Sequence, residues 1–422
     1  MAVTAAHALA LSIVRRLRDA GHVAYFAGGC VRDRILGGDP KDYDVATSAQ
    51  PDTVEKLFTR SVPVGKAFGV IRVLDETNSA VAVEVATFRS DGRYLDGRRP
   101  ESVTYSGEVE DAKRRDFTIN GLFYDPLVDK VIDHIGGADD IRARIVRAIG
   151  EPHARFSEDK LRLLRAVRFA CRFNFEIEEA TWKALCEMAG QITQVSYERI
   201  RDELNATFTG MARGRALRLL LESGLLDAVL PEVAALVGKP GPAGDLFGET
   251  AAMLDMLDKE SVTQNLAWGA LLHAACQPNE ADALLRRLKQ SNVLIERVTT
   301  LLRLQDTPAS ASQMSLAELK RYLRTDGIDE VLTLHALIQT ARGGGLDGAR
   351  FCRRKLTEYA ATAKGDPLRP VVPIDGNDLK ALGIPPGPFY KEVIEAIETE
   401  MLEDRLYTKN EAIVFAQERW KR

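Results

Sequence analysis

Asp42 and Asp44 stand two residues apart near the end of YFAGGCVRDRILGGDPKDYDVATSA, residues 25–49. On a strand, side chains two apart leave the same face, so both carboxylates can reach one divalent ion. Magnesium takes one or two carboxylates together with substrate phosphates, and it suits such a partly open site. Glu84, in VAVEVATFR, has only Val and Ala as near neighbours and offers a third carboxylate from a second strand. Three acids on neighbouring strands can hold two metals, one activating an attacking hydroxyl and one steadying a leaving pyrophosphate. About ten residues before the aspartates, GGCVRD supplies what a phosphate needs. Gly28 and Gly29 let the backbone approach closely, and Arg32 offers a forked guanidinium. The pattern GxxxxGK[ST] is absent, so this is not a Walker loop.

Two further clusters follow. In KRRDFTING, residues 113–121, a helix that began at Asp116 would be capped by it and would put Asn120 on the same face one turn later. Arg114 and Arg115 would then flank a helix N-terminus, a natural triphosphate site. In FSEDKLRLLRAVRFACRF, residues 156–173, Arg162, Arg165, Arg168 and Arg172 share one helical face, and Leu163, Ala166, Val167, Ala170 and Cys171 share the other. Asp159 lies one turn before Arg162, and a carboxylate beside a guanidinium can pair with the edge of a nucleobase. Each motif alone has an ordinary reading as a solvated strand end, a basic surface or an i,i+3 salt bridge.

The elements that must position these residues are legible from periodicity. A helix is predicted over 5–20, with strands near 23–27, 42–46, 62–64, 70–74 and 80–88. SDGRYLDGRRPESVTY, 90–105, reads as a loop, and FYDPLVDKVIDHIGG as a short hairpin turning at Asp125 and Pro126. From about Phe156 the pattern is almost wholly helical, with breaks at 341–350 and near Pro367. A length of 422 residues allows two to four domains, and 45% hydrophobic with 28% charged residues marks a globular chain. No apolar run of about 18 residues predicts a membrane span, and the N-terminus reads as an amphipathic helix rather than a signal peptide. Five scattered cysteines without a CxxC pair suggest free thiols and a cytoplasmic setting. Net charge is −4, but Arg142, Arg144, Arg147, Arg155, Lys160 and the arginines of the 162–172 face form a basic stripe able to hold a polyanion.

In this order, GGCVRD…DYD, RRDFTIN and EDKLRLLRAVRF resemble the class II tRNA nucleotidyltransferases, the CCA-adding enzymes, and the related bacterial poly(A) polymerases. The loop FRSDGRYLDGRRPESV and SYERIRDEL (196–204) are similar too, and IDGNDLKALGIPPGP from Ile374 is a weaker echo. The resemblance implies an α+β fold: a polymerase-β-like head with a mixed sheet and helices over 1–150, then an all-α neck (151–215), body (216–340) and tail (341–422). It implies that Asp42 and Asp44 bind catalytic Mg²⁺, with Glu84 as a further catalytic carboxylate. Gly28, Gly29, Arg32 and Arg115 would meet the triphosphate or sugar, with Asp116 and Asn120 in the same cleft. Asp159 and Arg162 would pair with the base, and Arg165 and Arg168 would complete the pocket. Protein rather than a nucleic-acid template would then select C and A.

The activity so implied is addition of C, C and A to the 3′ end of tRNA from CTP and ATP, with release of pyrophosphate. Poly(A) polymerase and partial CC or A addition are the alternatives. The modest basic character of PVGKAFGVIRV and the short end AIVFAQERWKR favour CCA addition, and the 90–105 segment favours the full triplet. An RNA-binding factor without catalysis would gain nothing from Asp42 and Asp44 beside RNA phosphate. A small-molecule nucleotidyltransferase would not need the long helical body. Family members with a phosphohydrolase domain carry a His-Asp pair; here Ala274 follows His273, which reads as a helix-packing residue.

Overall fold

A computed structural model describes residues 4–92, 102–361, 366–384 and 387–420, and the chain divides into two compact units, Met1–Ala234 and Ala235–Arg422. The head and neck spans expected over 1–215 both fall in the first unit. It opens with helix α1 (Ala5–Asp19), whose Ala10, Ile13, Val14 and Leu17 recur at helical spacing and are fully buried. Thr4 caps it by accepting a hydrogen bond from the His7 amide at 3.2 Å.

Among the described residues the main sheet has seven strands, ordered β3-β4-β5-β2-β1-β8-β9. These are β1 (Ala24–Ala27), β2 (Asp44–Thr47), β3 (Ser61–Gly65), β4 (Val70–Leu74), β5 (Ala82–Thr87), β8 (Phe123–Asp125) and β9 (Lys130–Ile132), while β6 (Arg89–Asp91) and β7 (Val103–Tyr105) pair separately. Only the β2–β5 pairing is parallel, so the sheet is mixed as expected. In β5, Val83, Val85 and Thr87 face the core while Glu84 and Ala86 point away, the period-2 pattern of a half-buried strand.

Three local expectations need correction. The strand carrying the aspartates starts at Asp44, not Asp42. Its partner β1 ends at Ala27, opposite Asp44, because Gly28 turns the chain with φ +71° into helix α2 (Gly29–Ile35), leaving Asp42 and Tyr43 without a ladder on that side. No α-helix begins at Asp116; a single 3₁₀ turn, Thr118–Asn120, follows instead, and the hairpin β8–β9 is as expected. The 90–105 segment is not all loop. Arg89–Asp91 pairs antiparallel with Val103–Tyr105, while residues 93–101 lie outside the described residues.

The helices of this unit include α3 (Pro51–Leu57), α4 (Glu108–Lys113), α5 (Gly137–Ala143), α6 (Pro152–Glu158), α7 (Leu161–Phe173), α8 (Glu179–Met188) and α9 (Tyr197–Phe208). On α7 the predicted apolar face is buried at all five positions. Asn174, with φ +54°, ends the helix in the left-handed conformation that closes many helices. The second unit is built almost entirely from helices. Near its end, Ile374, Leu379, Val393, Ile397, Leu406 and Ala416 form a separate apolar core. Elsewhere in this unit His273 is buried as a packing residue, with Nε2 3.1 Å from Glu249 and Nδ1 2.9 Å from the Ala270 carbonyl. The five cysteines are unpaired, and among the described residues no helix is long and apolar enough to cross a membrane.

Candidate active site

The last residue of β1 hands the chain to Gly28, the hinge of the site. Its positive φ favours glycine, and a Cβ there would meet Arg115 Nη1 at 3.0 Å, so any side chain would push the guanidinium away. Gly29 opens α2, and a Cβ on it would make only ordinary contact with Arg32 Nη2 at 3.5 Å. Arg32, 4% exposed, lies with its guanidinium carbon 4.3 Å from the centre of the Phe173 ring. It donates to Asp33 Oδ1 from Nε and Nη2 at 2.9 and 2.7 Å, and from Nη1 to the Asn120 side-chain oxygen. So fixed, its fork is pre-organised; a free arginine would lose rotamer freedom on meeting phosphate.

Asp44 and Glu84 sit opposite each other on the parallel strands β2 and β5. Glu84 also accepts from Arg72 Nη2 at 2.7 Å, with both side chains about half exposed. Asp42 is exposed in the turn before β2. Asp44 meets solvent on its outer side, yet the cleft walls crowd out much of its water. That crowding, with Glu84 and Asp42 as like charges and against the pull of Arg115, pushes its carboxyl up to about 6. Among the described residues no three His, Cys, Asp or Glu side chains already converge on a metal position. Of the three acids, Glu84 is paired with Arg72.

The 3₁₀ turn carries the second cluster. Asp116 Oδ1 accepts from the Phe117 amide at 2.8 Å and from Asn120 Nδ2 at 3.0 Å, while Oδ2 accepts from Arg165 Nε and Nη2 at 2.9 and 2.6 Å. Burial alone would raise the Asp116 carboxyl; Arg165 and Asn120 outweigh it and hold it at about 2. Arg115 reaches from the end of α4 and is held by Asp111 at 3.0 Å, with Nη1 donating to the Asn120 carbonyl at 3.2 Å.

The third cluster comes from α7 and the link before it. Arg165 and Arg168 share Glu203 on α9, and Arg168 Nε donates to it at 2.5 Å. Asp159 and Arg162, expected side by side, hold different partners. Arg162 donates to Glu158 and to the Arg155 carbonyl at 2.8 Å, whereas Asp159 is bound by Arg199. Arg199, Glu203, Asp33 and Asp111 were missed as site residues. In SYERIRDEL the signal is that Arg199 and Glu203 stand four residues apart, on the face of α9 toward α7.

These groups meet in one open cleft of about 550 Å³. Of the thirteen sequence-predicted residues, all but Asp42 and Glu84 line it. Among the described residues its wall carries nine arginines against four aspartates. Such a field attracts a polyanion. A mixed-sheet head with this cleft defines a nucleotidyltransferase.

Residues 24–147 match the poly A polymerase head domain, 174–236 the "Probable RNA and SrmB- binding site of polymerase A", and 260–416 the tRNA nucleotidyltransferase domain 2. The CCA-adding enzyme of Geobacillus sp. (strain WCH70) is 33% identical over 406 residues, covering 96% of this chain and 95% of that protein. That of Geobacillus stearothermophilus is 34% identical over 410 residues, covering 94% and 95%. The crystal structure of the Bacillus stearothermophilus CCA-adding enzyme in complex with CTP has a TM-score of 0.78 and 29% identity, covering 99% of this chain and 98% of that one. The chain belongs to the CCA-adding enzyme family.

Proposed function

We propose that this protein adds C, C and A to the 3′ end of tRNA from CTP and ATP, without a nucleic-acid template and with release of pyrophosphate. The observation that supports the reading is one cleft lined, among the described residues, by Gly28, Gly29, Arg32, Arg115, Asp44, Asp159 and Arg162. The RNA 3′ oxygen bonds to the α-phosphorus as the bond to the bridging oxygen of pyrophosphate breaks. Phosphoryl transfer asks mainly for positioning and charge neutralisation.

Gly28, Gly29, Arg32 and Arg115 bind the triphosphate and sugar, and Asp116 and Asn120 hold Arg165 and Arg32 in place around them. Arg165 and Arg168 complete the pocket wall. Asp159 and Arg162 present an acceptor and donors, which match the amino group and ring nitrogen of C or A but not the carbonyl edges of U or G. The like-charge crowding at Asp44 supports a divalent cation, because a cation relieves it. Asp42 and Asp44 would hold Mg²⁺, with Glu84 joining once it exchanges Arg72. When bound, the ion lowers the cost of charge on the attacking and leaving oxygens. The basic stripe takes the tRNA acceptor arm, and the five free thiols agree with a cytoplasmic setting.

The test is incorporation of labelled CTP and ATP, with Mg²⁺, into transcripts ending before CCA, after one C and after two. Two C additions followed by one A are expected. Addition of one nucleotide only would replace the reading with a split CC- or A-adding pathway.

A further inference from the structure

We infer that Arg199 is a positioning residue that sets nucleotide choice by fixing Asp159, an inference that rests on the reading of Asp159 as a base-contacting group. Arg199 Nη1 and Nη2 donate to Asp159 Oδ1 and Oδ2 at 3.1 and 2.7 Å, a forked pair with both side chains largely buried. Oδ1 also accepts from the Leu161 amide at 3.1 Å. An ionised carboxylate has about four lone-pair positions. Two on Oδ1 and one on Oδ2 are thus filled, and one acceptor position on Oδ2 remains.

That remainder has a chemical consequence. One fixed acceptor takes one N–H from the exocyclic amino group of cytosine or adenine. It repels the carbonyl oxygen that uracil and guanine carry at the equivalent place. A carboxylate free to turn could move away from a carbonyl, or present a proton to it, and discriminate less. Fixing matters more here because Asp159 sits between α6 and α7 in extended backbone, with no helix to restrain it.

The position of Arg199 argues against a purely stabilising origin. It lies in the first turn of α9, where the positive end of the helix dipole disfavours a cation. Stability alone would place an acid there, as it does at neighbouring Glu198. Arg162 cannot do the same work, since Glu158 and two backbone carbonyls occupy its donors on the inner side.

The experiment compares wild type, Arg199→Ala, Arg199→Lys and Asp159→Ala on transcripts ending before CCA, for CTP and UTP, and after two C, for ATP. It measures kcat and KM for CTP and ATP, misincorporation of UTP, and tRNA binding. Arg199→Ala should lower the CTP/UTP preference roughly tenfold, the effect of losing one charge-assisted contact, and raise KM for CTP more than it lowers kcat. Arg199→Lys keeps the charge without the fork, so it should fold normally and still lose part of the preference. Unchanged preference in both Arg199 variants, with Asp159→Ala losing it, overturns the inference and leaves the active-site reading intact. Unchanged preference in Asp159→Ala overturns both.

Discussion

Asp116→Asn tests whether the charge network under the cleft holds the first unit together. Asp116 is 9% exposed, and its carboxyl is held at about 2, against an ordinary 3.8, by Arg165 and Asn120 despite burial. At about 1.36 kcal/mol per pH unit, that difference is worth about 2.4 kcal/mol of stability. The sign follows from the depressed value. The contribution is complete above the unfolded value of 3.8 and is lost as pH falls toward 2. Asparagine keeps the acceptor for the Phe117 amide but leaves Arg165 with only Glu203. The variant should therefore be less stable by about 2–4 kcal/mol at pH 7, with the gap closing below about pH 4. Urea unfolding is the assay, read through Trp182 in a Trp268→Phe, Trp420→Phe background because those two tryptophans lie in the other unit. Equal stability at pH 7, or a gap that stays constant down to pH 3, would refute the reasoning.

Two further outcomes follow from the same geometry. Gly28→Ala must adopt a left-handed backbone and displace Arg115 Nη1 from 3.0 Å, so a stability loss of about 1–2 kcal/mol is expected together with a raised KM for CTP; normal KM would show that Arg115 does not meet the nucleotide. Asp44→Asn removes one of three neighbouring carboxylates. Without divalent cation it should raise stability by roughly 1 kcal/mol, a figure kept small because the group meets solvent, and with Mg²⁺ present it should abolish addition. A metal-free variant no more stable than wild type would contradict the crowding at Asp44.

The residues of the site were more legible than their partners. Asp44, Arg32, Arg115, Asp116 and the arginine face of α7 are visible in sequence because each belongs to a short motif whose spacing already fixes a face. The amphipathic pattern of α7 gave its buried side at every position named. The strand boundary at Asp44 was not legible, since it depends on where β1 ends rather than on anything in DYD itself. The same holds for the Asp159–Arg199 pair, 40 residues apart and joined only by the packing of α9 beside the start of α7. Glu84 was found as an acid on a strand, but its ion pair with Arg72 is a cross-strand register effect. Local pattern specifies which groups a chain offers, and long-range register decides which of them are already engaged.

On this mechanism, protein alone selects the triplet and its length. The most direct measurement supplies all four nucleoside triphosphates at once, with Mg²⁺, to a tRNA transcript lacking CCA, and sequences the new 3′ ends. The expected ends read CCA, with U and G excluded and no fourth nucleotide. Long A tails, or U and G entering at rates near those of C, would contradict it.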